Sequence, residues 1–346
     1  MSANELDIER PEQLLAYLRR TGRIDTGEQP HIVVLAGGVS NRTVRVDRPT
    51  GESWVLKQAL EQLRTKAEWH SSPLRIHREA MGLRWLEQLA PPGATTPLVF
   101  EDHEHHLLAM QAVPQPHANW KTLLLDGQVV GEHVEQFARL LGQVHRRAYE
   151  QRGRLASEFD DRSFFESLRI EPYYSYTAAQ VPEANRFLSN LVEDTRARRL
   201  TLVHGDYSPK NILVFNGRLV LLDHEVIHWG DPAFDLGFSL THLLSKAHYL
   251  PHCRERFAHA AVLYWQVYGQ TLGDLPWAAD LEPFAVRHTL GCLLARVSGR
   301  SLLEYFDDEH RSRQGRAVVD LMARPPATVP DLVEQFTERV RANAND

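Results

Sequence analysis

The pattern of apolar residues changes near Pro114, and this change limits the folds open to the chain. Before Pro114, short segments alternate apolar and polar residues with a period of two, which is typical of half-buried strands. Turn residues such as Gly51 separate these segments, so an antiparallel sheet is predicted. The predicted strands cover residues 31–36, 43–47, 53–57, 97–102 and 105–113. Residues 74–89 interrupt them with apolar residues at helical spacing.

After Pro114 the apolar spacing is mostly helical. The predicted helices cover residues 132–150, 183–198, 232–249, 253–269, 281–298 and 331–342. Only residues 201–223 break this pattern, with short strand-like runs around a loop. We therefore predict an α+β fold with two lobes, in which residues 1–113 form a five-stranded antiparallel sheet with one long helix and residues 114–346 are mainly helical. The connection between them is short, so a shared cleft is expected.

Composition excludes several other classes of protein. The 346 residues carry 39 Lys and Arg against 45 Asp and Glu, a net charge of −6, and no partnership with nucleic acid is expected. No run approaches the about 18 apolar residues that span a bilayer, and the polar amino terminus does not predict a signal peptide. Cys253 and Cys292 are the only cysteines, which favours a reducing, cytoplasmic location.

The densest polar cluster in an apolar setting lies at residues 202–225. His204, Asp206 and Asn211 fall within eight residues, and Asp223 and Glu225 follow the next apolar strand. Residues two apart on an extended chain point the same way, so both carboxylates face one point, which suits Mg²⁺. Asp206 is the candidate general base, and Asn211, Asp223 and Glu225 are candidate metal ligands. Taken singly, these residues also fit a capped turn and a solvated strand end.

The first lobe adds a candidate phosphate-binding loop and a lysine. Gly37, Gly38, Ser40 and Asn41 follow the first strand, where glycines allow backbone N–H groups to approach phosphate oxygens. A plain hairpin is the alternative. Lys57 ends an apolar strand and is either a surface lysine or a phosphate ligand that needs a carboxylate partner.

Glu79 is the candidate partner for Lys57. It shares a helix side with Ile76 and Leu83, so an inward orientation is expected. Glu68 is a weaker candidate because it precedes the start of this helix.

These motifs, in this order, resemble the aminoglycoside phosphotransferase and choline kinase superfamily, whose members are small-molecule kinases with a protein-kinase-like fold. The D-x-E form at Asp223 is similar to the choline kinase and methylthioribose kinase branches. The resemblance implies ATP and Mg²⁺ as cofactors and a nucleotide-binding first lobe. Asp206 would then be the base, and Lys57 and Glu79 would orient the phosphates.

The resemblance also implies roles for several further residues. Asn211, Asp223 and Glu225 would bind the metal, while His204 and Asp235 would order the catalytic loop. The carbonyl of Gln111 and the N–H of Val113 would bind the adenine edge.

A small hydroxyl-bearing acceptor is expected, because only twelve residues separate Asp223 from Asp235 and leave no room for the activation segment of a protein kinase. Candidate walls of its site are His228 and Trp229, and Arg296 and Arg300 on a predicted helix at 288–306. Two alternatives stay open for the acceptor: the arginines bind an anionic or hydroxylated molecule, or acids at 304–309 attract a cationic one. The alternative function is a catalytically inactive nucleotide-binding regulator. A monomer or a homodimer fits the sequence equally well.

Overall fold

The first lobe is built on one antiparallel sheet. The computed structural model describes residues 6–35, 40–64 and 70–342. Its first five strands are β1 (His31–Val34), β2 (Asn41–Asp47), β3 (Ser53–Ala59), β4 (Leu98–Asp102) and β5 (Leu107–Gln111). They pair in the order β1-β2-β3-β5-β4. The sequence prediction of a five-stranded antiparallel sheet is confirmed, with strand ends shifted by a few residues.

Two helices cover opposite faces of this sheet, α1 (Pro11–Arg20) and α2 (Arg75–Leu89). Strand β5 shows the alternation that makes this possible. Leu107 and Ala109 pack in the cluster that contains α1, whereas Leu108 and Met110 pack in the cluster that contains α2. Successive side chains of a strand point to opposite faces, so an almost wholly apolar strand is buried on both sides.

The second lobe is mainly helical, and the α+β class is confirmed. Its helices are α3 (Trp120–Leu125), α4 (Gly131–Glu150), α5 (Arg152–Glu158), α6 (Ser163–Phe165), α7 (Tyr176–Gln180), α8 (Asn185–Ala197), α9 (Pro232–Tyr249), α10 (Arg254–Leu272), α11 (Leu281–Ser298), α12 (Asp308–Ala323) and α13 (Val329–Ala342). Helix α9 is buried along nearly its whole length and packs against α10 and α11. A helix that is buried on all sides lies at the centre of a helical layer.

Five short strands hold the polar loops of the second lobe. They are β6 (Ala118–Asn119), β7 (Thr201–Val203), β8 (Ile212–Phe215), β9 (Arg218–Leu221) and β10 (His228–Gly230). One small sheet has the order β6-β8-β9, and the other pairs β10 with β7. The loop segments 204–211 and 222–227 therefore begin directly after β7 and β9, whose positions are fixed by strand pairing.

Several helical segments differ from the sequence prediction, and the short helices α3, α5, α6 and α7 were not predicted. Helix α11 ends at Ser298, because the N–H of Gly299 closes the last turn and the chain then becomes extended, so the helix predicted at 288–306 is too long. Helix α12 was not predicted, since charged residues dominate its sequence. A π-helical segment at Glu166–Ser175, which contains Pro172, was also missed. No helix among the described residues is long and apolar enough to cross a membrane.

Candidate active site

Lys57 lies at the junction of the two lobes. Residues Val55 and Ala59 of β3 face α2, and Lys57 shares their side of the strand. Its Nζ lies 2.6 Å from Glu79 Oε1 on α2 and 2.9 Å from Asp223 Oδ1 of the second lobe. One ammonium group is therefore shared by two carboxylates that are far apart in the sequence.

Burial and the ion pairs set the charges of this trio. Burial disfavours the charged form of Lys57, but Asp223 and Glu79 outweigh it and raise the pKa of the ammonium group. Burial would raise the pKa of Asp223, but Lys57 outweighs it and holds that pKa below its usual value. Glu79 is fully buried, and this burial raises its pKa. Lys57 and Asp223 are therefore both charged at neutral pH.

Asp206 lies in the loop between β7 and β8. Its Oδ2 accepts a hydrogen bond from Asn211 Nδ2 at 2.8 Å and pairs with the guanidinium of Arg169 at 3.1 Å. Both contacts use Oδ2, and Oδ1 has no hydrogen-bond or ion-pair partner among the described residues. Asn211 also donates to the backbone carbonyl of Asp206 at 3.0 Å. The amide nitrogen of Asn211 is thus occupied, and its Oδ1 is available as a ligand.

Asp235, at the start of α9, fixes the shape of this loop. Its carboxylate accepts the backbone N–H groups of His204 at 2.7 Å and of Gly205 at 2.8 Å. Gly205 has a positive φ of 77°, and a Cβ there would lie 2.9 Å from the side chain of Val226. His204 supports the same loop, because its Nδ1 accepts the N–H of Asp206 at 3.2 Å.

Asp223 and Glu225 follow β9 and lie beside Asn211 along the same cavity. Burial raises the pKa of Glu225, and the nearby charge of Asp223 adds to this effect. Arg75, at the start of α2, opposes it with its Nε 3.2 Å from Glu225 Oε2. Two carboxylates that repel each other beside a free amide oxygen are a donor set suited to a hard divalent cation, so the residues present fit Mg²⁺.

A cavity of about 660 Å³ joins these groups. The predicted site residues that line it are Ser40, Asn41, Lys57, Asp206, Asn211, Asp223, Glu225, Arg296 and Arg300. His204 and Glu79 lie behind it as buried supports. Gln111 and Val113 end the first lobe and are not among the lining residues. Gly37 and Gly38 lie outside the described residues.

His228 and Trp229 do not line the cavity, which corrects the sequence prediction. Strand β10 pairs them with Val203 and Leu202, and both side chains are buried. The ring of His228 stacks on Phe165 at 4.0 Å, and its Nδ1–H donates to the carbonyl of Val226 at 2.9 Å. The indole N–H of Trp229 donates to the carbonyl of Arg199. Their hydrogen-bonding groups are directed into the second lobe rather than toward a ligand.

Sequence reasoning missed several side chains of the cavity. These are Lys121, Arg169, Tyr173, Lys210, Phe238 and His242. Arg169 contacts Asp206 directly, yet it lies in the π-helical segment, whose sequence carries no motif. Lys210 falls inside the loop that the motif had already identified, so its proximity to Asn211 was the one available signal.

The sequence is similar to those of known proteins. The sequence profile of the phosphotransferase enzyme family matches residues 31–281. A methylthioribose kinase of Pectobacterium carotovorum subsp. carotovorum (strain PC1) is 25% identical over 263 residues, which is 66% of this chain. The match spans only 63% of that protein's length.

Solved structures show the same fold at low sequence identity. An amicoumacin kinase in complex with AMP-PNP, Ca²⁺ and Ami is 14% identical, with a TM-score of 0.56 over 90% of this chain and 94% of that one. A choline kinase from Cryptosporidium parvum Iowa II is 11% identical, with a TM-score of 0.56 over 94% and 99%. A macrolide 2′-phosphotransferase from Brachybacterium faecium is 18% identical, with a TM-score of 0.52 over 91% and 99%.

Proposed function

Because the chain belongs to the phosphotransferase enzyme family, we propose that it is an ATP-dependent kinase that transfers the γ-phosphoryl group of ATP to a hydroxyl of a small molecule. One observation carries this proposal. Lys57 of the first lobe meets Asp223 of the second at 2.9 Å, and both line the cavity that contains Asp206 and Asn211. Phosphoryl transfer needs this combination of a cation for the phosphates, oxygen ligands for metal and a base for the acceptor.

We assign the nucleotide-binding roles as follows. Lys57, held by Glu79, would contact the phosphates of ATP, with Asp223, Asn211 and Glu225 as ligands of Mg²⁺. When Mg²⁺ is bound, it would neutralise part of the negative charge of the phosphates. Ser40 and Asn41 line the cavity and would contribute phosphate contacts together with Gly37 and Gly38. The carbonyl of Gln111 and the N–H of Val113 remain our proposal for the adenine edge.

Asp206 is proposed as the general base. Arg169 and Asn211 hold its Oδ2, so the carboxylate is oriented before the acceptor arrives. Oδ1 would accept the proton of the acceptor hydroxyl as its oxygen attacks the γ-phosphorus. His204 is a positioning residue in this scheme, since its ring contacts the backbone of Asp206 and the ring of His224.

The alternative hypothesis is an inactive nucleotide-binding regulator. Nothing in the cavity favours it, because Lys57, Asp206, Asn211 and Asp223 are all present and line one space. The two cysteines are buried and form no disulfide, which supports a reducing compartment for the protein.

Replacement of the base tests the proposed activity. We expect Asp206→Asn to lower kcat by about 10²–10⁴, the usual cost of losing a general base, while AMP-PNP still binds. ADP release over a panel of small hydroxyl compounds gives kcat, and calorimetry gives nucleotide affinity. Asp320→Asn on the exposed side of α12 is the matched control and keeps full activity. Wild-type turnover by Asp206→Asn would refute the assignment.

A further inference from the structure

The cavity extends past Asp206 into a region that the nucleotide roles do not use. We call it the acceptor end and define it by Lys121, Tyr173, His242, Arg296, Arg300 and Glu304. Basic side chains outnumber acidic ones here, with Glu304 as the single carboxylate. The pairing of each basic side chain decides which ligand this region suits.

Two of the cations are already neutralised. Lys121 forms an ion pair with Glu304, and Arg300 lies 3.2 Å from Glu171. Arg300 and Glu171 are both largely solvent-accessible, so their pairing is weak and can be exchanged for a ligand.

Arg296 is different, because it is only 9% exposed and has no carboxylate partner among the described residues. It donates to Tyr173 Oη at 3.0 Å and to Ser301 Oγ at 2.7 Å, both neutral groups. Its Nε is buried and makes no hydrogen bond. A buried charge is stable only when it is paired and hydrogen-bonded, so this guanidinium lacks a counter-charge.

Lys246 on α9 strengthens the argument. It is fully buried, and its ammonium contacts the carbonyl of His242 at 3.2 Å and lies 5.5 Å from the ring of Tyr305. Burial, followed by repulsion from Lys121 and Arg296, lowers its pKa to about 7. Lys246 is therefore a second basic group that is repelled by Arg296; no carboxylate among the described residues forms an ion pair with it, and only the nearby charge of Glu304 partly offsets the repulsion.

The acids that would attract a cationic acceptor lie elsewhere. Asp307 caps α12 by accepting the N–H of His310 at 2.8 Å. Asp308 pairs with Arg311 at 3.0 Å, and Glu309 pairs with Arg313. None of the three lines the cavity. Only Glu304 remains, and Lys121 already neutralises it.

Tyr173 connects the acceptor end to the reacting groups. The guanidinium carbon of Arg296 lies 5.8 Å from the centre of this ring, and that of Arg169 lies 5.9 Å from it. Arg169 in turn holds Asp206. Arg296 is thus connected to the base through the ring of Tyr173 and the guanidinium of Arg169, and Arg296 and Asp206 line the same cavity.

We propose that the acceptor is a small molecule that carries an anionic group, a carboxylate or a phosphate, in addition to its reactive hydroxyl, and that Arg296 binds this anion. The inference rests on the proposed function, since it names the substrate class of the same site. Arg296 supplies a planar guanidinium that matches either oxyanion. Lys121 and Arg300 can turn to the ligand from their solvent-accessible partners.

A paired acceptor panel tests the proposal by activity. ADP release is measured for hydroxy acids against their amides, for phosphorylated sugars against free sugars, and for cationic amino alcohols. We expect turnover with the anionic member of a pair, and the two pairs distinguish a carboxylate from a phosphate. Arg296→Gln is expected to raise KM by about 10- to 100-fold, because a hydrogen bond to a charged group is lost. Arg296→Lys should recover part of the affinity, and Arg146→Gln, an exposed arginine on α4, is the matched control.

Thermal unfolding gives a second readout that needs no turnover. With AMP-PNP and Mg²⁺ filling the nucleotide site, inorganic phosphate or acetate is added to the full chain at constant ionic strength. We expect the Tm of wild type and of Arg146→Gln to rise and that of Arg296→Gln to stay unchanged.

Four results would overturn the proposal. Equal or faster turnover with the neutral or cationic acceptors overturns it and leaves the kinase assignment intact. An unchanged KM in Arg296→Gln does the same. The proposal is also overturned if neither phosphate nor acetate raises the Tm of the wild-type protein. If AMP-PNP does not bind and the enzyme releases no ADP with any acceptor, the proposed function fails and the inference fails with it.

Discussion

At the scale of single residues, burial decides which side chains of the second lobe carry charge. His224, His228 and His242 are all buried, and burial lowers the pKa of each ring. None of them forms an ion pair among the described residues. Because burial lowers their pKa, these three rings are neutral at neutral pH and act as packing and hydrogen-bonding groups.

His228 gives a pH dependence of stability that can be measured. Burial lowers its pKa from 6.5 to about 4 in the folded protein, so the unfolded chain binds one more proton at this residue between these pH values. Stability therefore falls as the pH falls from 6.5 to 4. In His228→Asn, which keeps an N–H donor but does not titrate, unfolding should take up about one proton fewer.

Chemical denaturation at several pH values measures this uptake as the slope of the free energy of unfolding. His31→Asn is the control, because the side chain of His31 is 76% exposed. Parallel slopes for wild type and His228→Asn would contradict the assigned burial effect.

At the scale of elements, the packing of α9 against α11 positions the loop that contains Asp206 and the side chain of Arg296. Asp231 caps α9, because its side chain accepts the N–H of Ala233, and Asp235 in the first turn holds the loop that contains Asp206. Helix α11 delivers Arg296 to the cavity. The two helices can approach closely because Gly237 meets His288 at their contact: an added Cβ would lie 2.4 Å from His288 Cβ.

Gly237→Ala tests this contact. We expect it to lower the free energy of unfolding by about 1–3 kcal/mol or more, because the helices must separate to accept a methyl group. Gly269→Ala on α10 is the matched control, since nothing lies within 4 Å of its added Cβ. There the better helix propensity of Ala should raise the free energy of unfolding by about 0.5–1 kcal/mol. Equal effects of the two variants, measured by denaturant unfolding, would contradict the close-contact argument.

At the scale of the whole molecule, the proposed nucleotide site links the two lobes through a few polar contacts. Lys57 reaches Asp223 across the cavity, and Arg75 at the start of α2 reaches Glu225. Ligands that bind between the lobes should therefore stabilise the folded protein as a unit, by about 2.7 kcal/mol when the free ligand is at 100 times its Kd.

Removal of one carboxylate tests this link. We expect Mg²⁺ to raise the Tm and the AMP-PNP affinity of the wild-type protein, because Asp223 is a proposed ligand of the cation. In Asp223→Ala the increment due to Mg²⁺ should vanish, while metal-free AMP-PNP binding persists. Thermal unfolding measures the effect of Mg²⁺ on the Tm, and calorimetry measures its effect on AMP-PNP affinity. Asp320→Ala is the exposed control. A Mg²⁺ effect of wild-type size in Asp223→Ala would refute the assignment.

The sequence by itself determined the five strands of the first lobe, most of the long helices and the residues of the two polar motifs in the candidate site. Period-two alternation gave five strands, and helical spacing placed Glu79 on the inner side of α2. The order of the motifs pointed to the family that the profile match then identified. These features are local, because strand and helix periodicity depend on near neighbours along the chain.

Only the tertiary structure decided which side chains meet in the cavity. His228 and Trp229 follow Asp223 and Glu225 in the sequence, yet pairing with β7 buries both of them, and no local pattern encodes that pairing. Arg169 reaches Asp206 from a segment without a motif. Arg300 is exposed and pairs with Glu171, whereas Arg296 is buried and has no carboxylate partner among the described residues. The charge of a buried group depends on its partners in three dimensions, and those partners come from distant parts of the chain.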